Sequence, residues 1–159
     1  VLQLAMAYAA IANGGTRYVP QVVQNVRAPD GSLSDTFQPR IHRSVGVAPE
    51  HLELIRRALR DVVEQEDGTA FKARNKDGIP VSGKTGTAQV VSRKSRSDES
   101  ASAWYLDRSH GWFAGFAPAD DPEVAFAVLV EHGGSGGQSA APIATSVMQQ
   151  YLGEPQEAE

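Results

Sequence analysis

Cysteine is absent from the 159 residues, which removes disulfides, thiolate nucleophiles and cysteine-bound metals together. The absence suits a compartment where thiols oxidise but does not require one. Long hydrophobic runs are also missing: no stretch approaches the roughly 20 apolar residues of a membrane span, and no signal-peptide pattern occurs. Charge of one sign is not in excess. The 15 Lys and Arg against 19 Asp and Glu leave a net charge of -4, so neither nucleic acid nor an anionic membrane surface is an expected partner. The densest basic run, "SRKSR" at Ser92 to Arg96, lies in a polar stretch and reads as a solvated loop. His42, His51, His110 and His132 show no ligand spacing such as H-E-x-x-H. No metal is expected, and no feature calls for a cofactor.

What remains is an ordinary globular mixture, 41% hydrophobic and 21% charged, in a chain long enough for a real core. Val1 to Asn13 is rich in Ala and Leu. Leu4, Ala7, Tyr8 and Ile11 fall at helical spacing, with "NGG" as a stop. Short β-branched runs around "PDG" predict a hairpin at Asp30-Gly31. A second helix is predicted from Pro49 to about Glu64, because proline suits a first helical position and Leu52, Ile55, Leu59 and Val62 form an apolar stripe. "IPVSGKTGTAQVV" reads as a strand, residues 92–108 as a polar loop, and "HGWFAGFAPA" with "EVAFAVLVEH" as an antiparallel hairpin joined at "DDP". The uninterrupted run Val124 to Val130 is expected to be a central strand covered on both faces. A glycine-rich connection then leads into a closing helix with Ile143, Val147 and Tyr151 at i, i+4 and i+8. The predicted class is α+β, helices against an antiparallel sheet, without internal repeats. Because the pattern opens abruptly inside a helix, residues 1–159 are expected to be the C-terminal part of a longer domain, with 154–159 as a loose tail.

The stretch "VSGKTGTAQ", Val81 to Gln89, carries the chemistry. A lysine on a strand offers a fixed positive charge, and the hydroxyls of Thr85 and Thr87 can donate or accept hydrogen bonds. Gly83 and Gly86 remove side chains, which would let an extended peptide lie along the strand edge. Together these suit a peptide ending in a carboxylate. The bland reading of the same residues is an edge-strand lysine that blocks aggregation.

Beyond the Lys-Thr-Gly tripeptide, nearly the whole chain resembles the penicillin-binding proteins, the serine D,D-transpeptidases that cross-link peptidoglycan. The resemblance rests on "LQLAMAYAAIANGGTRYVPQVV", "GKTGTAQV" and "HGWFAGFAPADDPEVAFAVLVEHGGSGGQSAAPIA". It is nearest to the class B enzymes of cell elongation, the penicillin-binding protein 2 type. The resemblance implies that Lys84 places positive charge beside the donor carboxylate and a serine-lysine dyad. Thr85 and Thr87 would hydrogen-bond the peptidoglycan stem peptide or the carboxylate of a β-lactam antibiotic. The backbone N–H of Thr87 would be an oxyanion-hole donor, and Gly83 and Gly86 would keep the strand edge open. Trp112, Phe113 and His132 are candidates for lining the site, with packing or loop roles as the plainer expectation. The resemblance also implies a parent anchored in the inner or cytoplasmic membrane, its catalytic domain periplasmic or extracytoplasmic, with cell-elongation partners.

Two of the family's motifs are missing. No serine is followed three residues later by lysine, and none is followed two residues later by asparagine. "TAFK", Thr69 to Lys72, has the first spacing with a threonine after a helix-ending "DG", and Ser82 with Lys84 belongs to the strand itself. Acyl transfer needs a serine activated by an adjacent base, so the segment alone is expected to be inactive. Two other readings stay open: a D,D-carboxypeptidase or β-lactamase of the same superfamily, and a non-catalytic β-lactam-sensing module. An apolar face left open by a truncated sheet would favour self-association.

Overall fold

The structure, a computed structural model, describes residues 1–90 and 108–153. The predicted polar loop, apart from Arg108, and the predicted 154–159 tail therefore lie outside the described residues. The elements run α1 (Leu2–Ala12), β1 (Thr16–Tyr18), β2 (Asn25–Arg27), β3 (Leu33–Thr36), β4 (Ile41–Ser44), α2 (Pro49–Glu64), a 3-10 turn (Phe71–Ala73), β5 (Ser82–Ala88), β6 (His110–Ala117), β7 (Val124–Val130) and α3 (Ala140–Gly153). The main sheet is antiparallel with order β5-β6-β7, and two small ribbons pair β1 with β4 and β2 with β3. This is the α+β class that the pattern predicted. Among the described residues, no helix is long and apolar enough to cross a membrane.

Both predicted N-terminal helices form. α2 begins with Pro49 at its first turn and ends at Glu64; the missing proline N–H costs nothing there because the first turn's donors have no helical partners. The β2–β3 hairpin turns at Gly31, which takes φ +85°, a conformation that glycine alone adopts cheaply. Asp30 accepts hydrogen bonds there from the Ser32 hydroxyl and backbone N–H, and these hold its carboxyl below the usual carboxylate range.

Two packing layers flank the sheet. On one face Phe113, Ala117 and Phe126 meet Ala140, Ala141, Ala144 and Met148 of α3, together with Val63, Ala70 and Ala73. On the other, Phe116 packs with Ala12 and Leu59, and with Tyr8 and Ile11 of α1. Burial there pushes the Tyr8 hydroxyl up from its ordinary value. Phe113 and Phe116 are completely buried, each contributing roughly 1.5–3 kcal/mol by apolar burial.

Val124–Val130 is covered on both faces as expected; in the three-stranded sheet of the described residues β6 is the middle strand, and β7 pairs there only with β6. The continuous apolar sequence of β7 is explained by α1 and α3, which both contact it, so that each of its faces meets a helix. The stripe Ile143, Val147 and Tyr151 of α3 is exposed, and the buried face is Ala140, Ala141, Ala144, Thr145 and Met148. Small side chains let the helix approach the sheet closely, and close approach decides the orientation over side-chain hydropathy. Similarly, Ile55 of the predicted α2 stripe is partly exposed while Val63 is buried.

Candidate functional site

Among the described residues β5 is an edge strand of the main sheet, paired on one side through Ser82↔Phe116, Lys84↔Ala114, Gly86↔Trp112 and Ala88↔His110. Its burial falls along its length: Ser82 and Gly83 are buried, Lys84 is exposed, and Thr87 and Ala88 are exposed. The strand is thus anchored at its start and presented to solvent from Lys84 onward.

Alternation puts Lys84 on one face and Thr85 and Thr87 on the other, yet Lys84 and Thr85 meet. The Lys84 Nζ donates to the Thr85 carbonyl at 3.1 Å and to its hydroxyl at 3.3 Å. Among the described residues no carboxylate lies within ion-pair distance of that ammonium, so its charge is available to an anion. Thr85 is half-buried, and its hydroxyl lies 2.7 Å from the hydroxyl of Thr69. Thr87 stands opposite Gly111 in the register.

The glycines have local reasons. A Cβ on Gly83 would lie 2.7 Å from the Phe113 ring and 2.8 Å from the Ala114 carbonyl, so the core requires glycine at this position. A Cβ on Gly86 would meet that of Trp112 at 3.1 Å. Behind the strand runs the connection into α3. There a Cβ on Gly136 would stand 2.0 Å from the Trp112 carbonyl and 2.5 Å from the Gly86 carbonyl, and one on Gly137 would stand 2.1 Å from the Thr69 carbonyl. The glycine-rich sequence lets this backbone lie directly against the strand pair that carries the lysine.

Of the other candidates, Phe113 is wholly buried in the core and Trp112 is half-buried on the Lys84 face of the sheet. His132 adopts φ +53°, an uncommon conformation for a non-glycine residue. Its N–H donates to His110 Nδ1 at 2.9 Å, and the two rings meet edge-on at 4.8 Å. The pair closes the far end of the β6–β7 hairpin, next to the Ala88 end of β5. The described residues contain no group of His, Asp and Glu able to hold a metal.

Sequence reasoning missed two features of this wall. Thr69 has only the spacing of a serine-motif decoy in the sequence, whereas the fold brings it to Thr85; its signal is the "DGT" that follows α2. Ser82 is fully buried and its hydroxyl has no hydrogen-bond partner among the described residues, which no sequence pattern marks.

Residues 1–149 match the penicillin binding protein transpeptidase domain family model. The chain is 40% identical over 156 residues to the peptidoglycan D,D-transpeptidase MrdA of Acinetobacter baumannii, covering 95% of this chain and 22% of that protein. It is 33% identical over 153 residues to the penicillin-binding protein PbpB of Mycolicibacterium smegmatis, covering 90% and 22%. Its backbone matches the ceftriaxone acyl-enzyme complex of penicillin-binding protein A from Mycobacterium tuberculosis with TM-score 0.72 at 30% identity, covering 93% of this chain and 31% of that one. Penicillin-binding protein 2 of Pseudomonas aeruginosa matches with TM-score 0.73 at 30% identity, covering 98% and 31%. The chain thus spans about a fifth of the length of these curated relatives. It belongs to the penicillin-binding-protein transpeptidase domain family, and its relatives include enzymes of the penicillin-binding protein 2 type.

Proposed function

We propose that this segment forms the carboxylate-holding and oxyanion wall of a peptidoglycan D,D-transpeptidase. The observation that carries the proposal is the β5 edge, where an exposed ammonium, free of carboxylates among the described residues, is bonded to the Thr85 hydroxyl. Lys84 and the hydroxyls of Thr85 and Thr87 would hold the C-terminal carboxylate of a stem peptide or the carboxylate of a β-lactam. Gly83 and Gly86 belong to the same binding strand. The Thr87 backbone N–H would face the oxyanion, a contribution worth roughly 10²–10³ in rate when correctly aimed.

The nucleophile comes from outside this sequence, which has neither a Ser-x-x-Lys nor a Ser-x-Asn motif. In the complete enzyme the serine hydroxyl would give its proton to the neighbouring base and attack the carbonyl of the penultimate D-alanine. The peptide bond breaks, D-alanine leaves with a proton, and an ester links serine to the donor peptide. An amine of a neighbouring strand then attacks that ester, forming the cross-link and returning the serine. The full-length protein would be membrane-anchored, catalyse outside the cytoplasm and work with cell-elongation partners.

A fluorescent penicillin tests the reading. The full-length protein is expected to become covalently labelled, and residues 1–159 alone to stay unlabelled. An unlabelled full-length protein would refute the transpeptidase assignment; a labelled segment would refute the claim that the nucleophile lies elsewhere.

A further inference from the structure

We infer that Thr69 is a positioning residue for this wall, acting through the hydroxyl of Thr85 to set which way its proton points; the inference rests on the proposed role of β5. The Thr85 hydroxyl has one proton and two acceptor positions. Lys84 has only protons to give, so its contact at 3.3 Å occupies one acceptor position. The contact with Thr69 at 2.7 Å runs in one of two directions. If Thr85 donates to Thr69, no proton remains for a ligand carboxylate, which only accepts. If Thr69 donates to Thr85, both acceptor positions are filled and the proton of Thr85 points at the ligand. A bound carboxylate selects the second direction, and the Thr69 hydroxyl is what makes that direction a fully bonded one. Hydrogen bonds in such a chain also polarise one another, which strengthens the donor at its end.

Thr69 is fixed well enough to do this. Its neighbour Ala70 is 1% exposed within the core and donates its N–H to the Val62 carbonyl at 3.0 Å. A Cβ on Gly68 would lie 2.3 Å from that same carbonyl, so the chain is wound tightly onto the end of α2. The Thr69 carbonyl in turn rests against Gly137. Backbone on both sides is therefore pinned, while the side chain itself is exposed and has no packing task. Its hydroxyl is the part that the fold uses.

The test compares Thr69→Val and Thr69→Ser in the full-length protein, with the acylation rate constant measured for penicillin and for penicillin methyl ester. Valine keeps the shape and removes the hydroxyl; serine keeps the hydroxyl. Loss of one oriented neutral hydrogen bond predicts a roughly 3- to 10-fold slower reaction of Thr69→Val with penicillin. The loss with the methyl ester, whose neutral carbonyl accepts a weaker hydrogen bond than a carboxylate, should be smaller, and Thr69→Ser should react with penicillin within about twofold of the unsubstituted protein. An unchanged penicillin rate in Thr69→Val, in a protein that is labelled normally, would overturn the role of Thr69 and leave the transpeptidase reading standing. Equal losses with both ligands would reduce Thr69 to a packing residue and overturn the inference too. Failure of the unsubstituted protein to react would overturn both.

Discussion

Replacing Gly136 by alanine probes the contact between the glycine-rich connection and the strands of the site. The added methyl would stand 2.0 Å from the Trp112 carbonyl oxygen and 2.5 Å from that of Gly86, where real carbon–oxygen contacts are above 3 Å. Both obstacles are backbone, so no side chain can rotate away. Either the connection lifts by about 1 Å or β5 and β6 shift, and overpacking of this kind costs about 1–3 kcal/mol. In a chain of this size each kcal/mol lowers Tm by about 2–4 °C, so the expected drop is roughly 2–12 °C. Circular dichroism melting of residues 1–159 measures it, with Gly153→Ala as control, because a Cβ there meets nothing within 4 Å. Hydrogen exchange adds a local readout: amides of β5 and β6 should exchange faster in Gly136→Ala. If Gly136→Ala melts like the control with unchanged exchange, the connection does not press on the strand pair and the packing argument fails.

The buried hydroxyl of Ser82, without a partner among the described residues, carries a desolvation cost of about 1–3 kcal/mol, so Ser82→Ala should raise Tm by a few degrees; a lower Tm would mean that the hydroxyl is bonded after all. A cleft of about 1010 Å³ between α1, β4 and α2, lined by Leu2, Met6, Ile11, Val45, Leu52 and Ile55, leaves apolar surface open, with Leu2 62% exposed. Residues 1–159 should therefore self-associate in light scattering, and Leu2→Glu should reduce the apparent mass; a clean monomer at high concentration would contradict this.

The elements most legible in the sequence are those with strong local signals. Pro49 and the apolar spacing behind it marked α2 and its approximate end, Asp30-Gly31 marked its hairpin, and "DDP" marked the turn between β6 and β7. Each depends on interactions within a few residues, which a pattern can record. The orientation of α3 was hidden because hydropathy points to Ile143, Val147 and Tyr151, whereas the close approach to β6 and β7 selects the alanine face. The pairing of β7 was not legible for a related reason: a helix on each face produces a continuous apolar run whether one strand or two lie beside it, and among the described residues only β6 does. In the site, the Lys-Thr-Gly strand announced itself. Thr69 did not, because 16 residues separate it from Thr85 and only the path from α2 past Gly137 brings the two hydroxyls together.

The central claim, that β5 is the wall that holds a ligand carboxylate, is tested most directly by the acylation rate constant of the full-length protein with Lys84→Ala. Loss of a charge-assisted hydrogen bond is worth about 1.5–3 kcal/mol, so penicillin should acylate the variant about 10- to 100-fold more slowly while its melting temperature stays near that of the unsubstituted protein, since Lys84 is exposed. Acylation at the normal rate would contradict the account and leave Lys84 as a lysine that merely guards an edge strand.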